Sequence, residues 1–164
     1  DKSFIANNFS LSSYKTISEN IIGAGKVHLS AINGIGSDDV RISKRKNLSS
    51  RRLRGFESGR IGPLDGKDHI GGNYSAAVNF EAALPNFLPE STKTDISFFL
   101  DFGNVWGVDY SSTIDDSNTI RSSTGGIVNW MSPLGPMSFV FAQNISKAST
   151  DITEGFNFNL GTTF

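Results

Sequence analysis

Cysteine is absent from the 164-residue chain, which removes a disulfide framework, a thiol nucleophile and a cysteine zinc site. Nowhere does a run of about 18 apolar residues occur, so no transmembrane helix is available and any bilayer crossing must use strands. Charge of one sign is lacking too. Lys and Arg number 15 against 16 Asp and Glu, for a formal net charge of −1, and this balance gives no electrostatic case for nucleic acid or another polyanion. Only two histidines occur, His28 and His69, without a metal-ligand spacing around either, so no metal site is expected. An initiator Met and an export signal are missing ahead of Asp1, and the chain is therefore expected to be a piece of something longer.

What the chain does have is alternation. Hydrophobic residues make up 37% of it, a value usual for a water-soluble domain, but they fall at every second position of strand-length segments. A transmembrane barrel has that composition, because only every second residue meets lipid. Seven such segments are predicted, at about 3–17, 21–36, 71–84, 94–106, 119–131, 137–144 and 156–164. In the second, Val27, Leu29 and Ala31 oppose Lys26, His28 and Ser30; in the third, Tyr74, Ala76, Val78, Phe80 and Ala82 oppose Ser75, Ala77, Asn79, Glu81 and Ala83. The fourth sets Ile96, Phe98, Leu100 and Phe102 against Ser97, Phe99, Asp101 and Gly103. Their polar faces thus carry one acid each, Glu81 and Asp101.

The connections alternate between compact ones, near Ser18, at 85–93 and at Ser132-Pro133-Leu134-Gly135-Pro136, and long polar ones at 37–70, 107–118 and 145–153. Outer-membrane barrels sort their loops this way, with short periplasmic turns and long outer loops. The fold class read from these features is all-β, an antiparallel meander of about seven strands. Segment 37–70 is too long to be idle in a compact domain and is taken as functional; it carries Lys44-Arg45-Lys46, Arg51-Arg52 and Arg54.

Several ordered motifs make a family resemblance specific. They are Leu53-Arg54-Gly55-Phe56, Gly71-Gly72-Asn73, Asn79-Phe80-Glu81, Phe98-Phe99-Leu100-Asp101-Phe102-Gly103-Asn104-Val105-Trp106, Trp130-Met131-Ser132-Pro133-Leu134-Gly135-Pro136 and the terminal Phe158-Asn159-Leu160-Gly161-Thr162-Thr163-Phe164. In order and spacing they resemble the C-terminal barrel region of BamA-type proteins, within the outer-membrane assembly and polypeptide-transport superfamily. The resemblance implies that residues 1–164 are the last seven strands of a sixteen-stranded transmembrane barrel, with 37–70 as a long extracellular loop folded back into the lumen. It implies that Arg54, Gly55 and Phe56 dock on the inner wall against Glu81 and Asp101. It also implies that Phe158, Leu160, Gly161 and Phe164 belong to a C-terminal signal strand that pairs weakly with the first strand.

The residues support the docking reading in their own right. Two carboxylates on the polar faces of adjacent strands would both point into the lumen, where a guanidinium fork suits them better than an ammonium. Gly55 would let the tip turn with positive φ, and Phe56 would pack beside the pair. Facing acids can also do general acid–base work, but no nucleophile or pocket signature accompanies Glu81 and Asp101, so no enzymatic activity and no cofactor are expected. The basic run Lys44 to Arg54 is otherwise read as a solvated outer loop, His28 as lumen-facing, and Asp115-Asp116 as a loop end.

The resemblance implies an outer-membrane assembly factor of a Gram-negative bacterium, which folds and inserts nascent β-barrel clients and meets lipoprotein subunits through periplasmic domains outside this chain. The alternatives are a translocation pore of the same superfamily and a small self-standing barrel. Alone, the segment is expected to self-associate or to need detergent, because its edge strands would lack partners.

Overall fold

The computed structural model describes residues 3–114, 116 and 119–161. Its main element is one antiparallel seven-stranded sheet in meander order, formed by β1 (Phe4–Ser18), β2 (Ile21–Gly34), β5 (Tyr74–Leu84), β6 (Thr94–Trp106), β7 (Arg121–Ser132), β8 (Gly135–Ser146) and β9 (Phe156–Leu160). A small hairpin, β3 (Leu64–Asp65) with β4 (Asp68–His69), sits inside the long loop between β2 and β5.

The sheet is inverted relative to a water-soluble one. On β5 and β6 the residues with covered side chains include Ser75, Asn79, Ser97 and Asp101, whereas Phe80 and Phe98 are half exposed, at 50% and 55%. A wall with hydrocarbon outside and water inside produces this arrangement. Along β8 and β9 the same outer face carries the ring pairs Phe139–Phe158 and Phe141–Phe156, each with centroids 5.3 Å apart. Tyr74 stacks on Trp106 at the long-loop end of the wall, the position of an interfacial aromatic girdle.

Strand boundaries depart from the alternation in instructive places. The third strand starts at Tyr74 rather than 71 because Gly72 leaves the sheet to bridge with Lys46 of the long loop, Lys46 N donating to Gly72 O at 2.7 Å and Gly72 N to Lys46 O at 2.9 Å. The second strand ends at Gly34, ahead of the turn at Gly36, whose φ is +69°. The fifth starts at Arg121 rather than 119, and the sixth runs on to Ser146. Between them Pro133-Leu134 alone makes the reversal; Ser132 Oγ accepts from Leu134 N and donates to Gly135 O, and Gly135 takes φ +117°. In the last strand Phe156–Leu160 is regular; Thr162 and Phe164 lie outside the described residues.

The long loop, read from sequence as polar and irregular, has a core of its own. Leu48, Leu53, Phe56 and Ile61 pack on Ala77 and Val105 of the wall, all nearly fully buried. Each large side chain in such a cluster contributes roughly 1.5–3 kcal/mol by leaving water, so the loop lies against the inner face of the sheet as a packed layer.

Candidate functional site, a loop docked on the inner face of the sheet

Residues 53–56 form the tip of the long loop, and four strands hold it. Arg54 meets Asp101 of β6 through three bonds: its amide N and its Nε reach Oδ2 at 3.0 and 2.8 Å, and Nη2 reaches Oδ1 at 2.7 Å. The remaining guanidinium nitrogen Nη1 donates to Oε2 of Glu81, on β5, at 2.9 Å. The Asp101 side chain is fully buried and that of Glu81 is 26% exposed. Asn79 Nδ2 adds a fourth bond to Asp101 at Oδ1 and also holds Arg52 O, both at 2.8 Å. Burial opposes the charged guanidinium, but the hydrogen bonds and charges of Asp101 and Glu81 outweigh it and hold the Arg54 pKa above the usual arginine value.

The two residues after Arg54 are fixed by backbone geometry and by packing. Gly55 has φ +89°, and a Cβ there would lie 3.1–3.2 Å from atoms of Ala142, Asn144 and Ser123, so a side chain would be strained in conformation and crowded by its neighbours. Its carbonyl accepts from Asn144 Nδ2 of β8 at 2.8 Å and from Glu154 N at 3.0 Å. Ser123 Oγ of β7 donates to Arg54 O. Phe56 is 1% exposed; it lies in the loop's apolar cluster and bridges to Thr153 in the β8–β9 connection.

A model of the Omp85 superfamily domain matches residues 1–164. The chain belongs to the Omp85 superfamily. It is 34% identical over 142 residues to the outer membrane protein assembly factor BamA of Neisseria meningitidis serogroup B, covering 68% of this chain and 17% of that protein. The BamA of Neorickettsia risticii is 29% identical over 147 residues, covering 88% and 19%. A SAM50-like protein of Schizosaccharomyces pombe is 26% identical over 179 residues, covering 100% of this chain and 36% of its own length. The crystal structure of BamA from Haemophilus ducreyi lacking POTRA domains 1–3 superposes with a TM-score of 0.82 at 28% identity, over 94% of this chain and 34% of that one. The chain thus spans about a fifth of the length of the two bacterial relatives.

This Omp85 wall carries more of the clamp than the sequence motifs indicate. The Phe99 ring lies under the Arg54 guanidinium, 4.0 Å from its centroid, a cation–π contact that replaces water on that face. Phe99 is inward-facing by the strand alternation, so its place was legible and its role was not. His28 faces inward, as its strand alternation requires, and joins the loop: Arg52 Nη1 reaches Nε2 at 2.7 Å, and Nδ1 lies 2.9 Å from Ser10 Oγ. Because Arg52 has only donors to offer, Nε2 is the acceptor and Nδ1 carries the proton.

The reading of the basic run as solvated is corrected at Arg45. Its side chain is fully buried and donates to Asp109, to Asn73 Oδ1 at 3.0 Å and to Val40 O at 3.2 Å, with the Tyr110 ring 5.0 Å away. Desolvation would raise the Asp109 pKa, but bonds from Asn73, Arg45 and the Val40 amide hold it below the usual carboxylate value. A further pair, Arg121 with Asp151, is buried on both sides. Sequence reasoning missed it, although it is the Arg54 arrangement reversed, with the arginine at an inward position of the wall and the acid in the long connection between β8 and β9.

Among the signal-strand residues, Phe158 and Leu160 point outward, half to largely exposed, opposite Phe139 and Met137. Gly161 takes φ +104°, and none of the described atoms lies within 4 Å of a Cβ built on it. That positive φ favours glycine at this position. Phe164 is outside the described residues.

Proposed function

We propose that residues 1–164 are the C-terminal part of the barrel of an outer-membrane assembly factor, with segment 37–70 as its lumen-directed extracellular loop, and that the parent protein folds and inserts nascent β-barrel clients into the outer membrane of a Gram-negative bacterium. The observation that carries this reading is the docked tip. Arg54 spends its whole fork on Asp101 and Glu81 inside a wall whose outer face is apolar, in a chain similar to proteins named as outer membrane protein assembly factors. Both acids are hydrogen-bonded to Arg54, an arrangement that ties them to the loop rather than to general acid–base work and supports a non-enzymatic role. On this reading Arg54, Gly55, Phe56, Glu81 and Asp101 brace the loop, while Phe158, Leu160, Gly161 and Phe164 belong to the strand at the barrel seam. Clients and the lipid bilayer are the direct partners, and lipoprotein subunits attach through periplasmic domains elsewhere in the parent.

Depletion of the parent protein tests the reading. The levels of many unrelated outer-membrane barrels should fall together. Loss of one passenger alone, with the other barrels unchanged, would instead identify a dedicated translocation pore.

A further inference from the structure

We propose that Arg121 is a positioning residue that couples the docked Arg54 tip to the last strand, acting through Asp151 and the β8–β9 connection. Arg121 opens β7, and its Nε and Nη2 each donate to Asp151 at 2.9 Å, while Nη1 reaches Asn104 Oδ1 of β6 at 2.7 Å and Thr119 O at 2.8 Å. Asp151 also accepts from Ala148 N at 2.7 Å, closing the turn that starts the connection.

The next few residues run directly over the tip. Ile152 N donates to Arg60 O at 3.1 Å, Glu57 N to Ile152 O at 3.0 Å, and Glu154 N to Gly55 O at 3.0 Å. Ala142 N then donates to Gly155 O at 2.8 Å, and Phe156 begins β9. Between the ion pair and the last strand lie only residues 152–155, all engaged, so the segment has no slack to absorb movement of either end. The two loops therefore form one short antiparallel ladder, with the Arg121–Asp151 pair at one end and β9 at the other.

The chemistry gives the coupling its direction. Removing Arg121 leaves the Asp151 carboxylate buried without its cation, a state relieved by moving the connection into water. That movement takes Ile152 and Glu154 off the tip and withdraws support from the start of β9. In reverse, undocking of Arg54 removes the surface on which 152–154 lie. The consequence for client insertion rests on the assembly reading above; the coupling itself does not.

Hydrogen exchange read by mass spectrometry on the full-length parent protein in lipid bilayers decides it, with Arg121→Met, Arg54→Ala and the double variant. Arg121→Met should speed exchange of 55–60 and of 156–160 roughly a hundredfold, the scale of losing one partner of a buried pair, while the ladder between β6 and β7 stays protected. Arg54→Ala should speed exchange of 156–160 although the Arg54 hydrogen bonds go to β5, β6 and β7, and the double variant should add little to the larger single effect. Faster exchange confined to 147–152 in Arg121→Met, or independent, multiplying effects in the double variant, would overturn the proposal. If Arg121→Met does not insert, Asp151→Asn keeps an acceptor for the Ala148 amide and carries the same comparison. Client barrel levels in the same strains test the assembly reading separately, since the exchange pattern needs no client.

Discussion

Replacing Asp101 by Asn changes one oxygen to an amide and little else in shape, yet it strikes the clamp at its most constrained point. Each carboxylate oxygen takes two donors: Oδ2 the Arg54 amide and Nε, Oδ1 the Arg54 Nη2 and Asn79 Nδ2. Whichever way the new amide turns, its NH2 group faces two donors, so two hydrogen bonds are lost and replaced by repulsion. Removing one partner of a buried pair costs about 3–5 kcal/mol. Arg54 keeps Glu81 and the face of Phe99, which places the loss near the lower end. About 3 kcal/mol corresponds to a roughly hundredfold rise in the undocked population. Glu81→Gln is the internal control. The side chain is 26% exposed and its replacement still offers an acceptor to Nη1, so about 1 kcal/mol, or a fivefold rise, is expected. Trypsin cleavage after Arg54 reads the difference, because the buried Arg54–Gly55 bond is cut only when the tip leaves the wall, and cleavage then follows the open population. Equal effects of the two variants, or a wild-type cleavage rate in Asp101→Asn, would refute the claim that Asp101 dominates the clamp.

Gly55→Ala should cost about 2 kcal/mol, from left-handed backbone strain and from crowding against Ser123, Ala142 and Asn144; it would be seen as faster cleavage after Arg54 with β6 and β7 still protected. Phe56→Ala should cost about 3–5 kcal/mol of loop stability by opening a cavity among Leu53, Ile61 and Val105, measured as loss of exchange protection over 53–61. A pH response is expected at the base of the loop. The folded Asp109 pKa is depressed, so its contribution is fully present above the ordinary carboxylate pKa and is lost as pH falls through the lowered folded value. Amide exchange over 40–46, corrected for intrinsic rates, should rise on acidification through that range, and Asp109→Asn should remove the step.

The parts of this fold that were legible in the sequence are those where one face meets lipid and the other a polar interior. That contrast leaves a period of two at Tyr74 to Leu84 and at Thr94 to Trp106, and it put Glu81 and Asp101 on one side without knowledge of the pairing. The loop's interior had no such period to offer. Its positions are fixed by single bonds to residues far away in the chain, such as Arg45 to Asp109 or Asn144 to Gly55, and nothing local separates buried Arg45 from exposed Arg51. Gly71-Gly72-Asn73 continued the third strand on pattern alone. In the structure a Cβ on Gly72 would run into the Trp106 backbone, and the segment turns instead to pair with Lys46.

A buried ion pair adds little net stability over a well-packed apolar contact, so its presence at the tip calls for a different account. Leu53 and Phe56 could hold the loop by burial, but burial is not directional and would tolerate a displaced sheet. The fork does not tolerate it. Asn79 pairs with Asp101 across β5 and β6, Asp101 with Ser123 across β6 and β7, and Ser123 with Asn144 across β7 and β8, and every one of these side chains bonds to residues 52–55 or, for Asn79, also to Asp101. A slip of one residue at any of the three ladders turns a strand's inward set outward, removing at least one of the polar contacts while the apolar cluster could still re-form. Docking of Arg54 and Gly55 is thus satisfied by a single register of four consecutive strands, and the charged tip supplies a specificity for the correctly paired wall that burial of Leu53 and Phe56 does not.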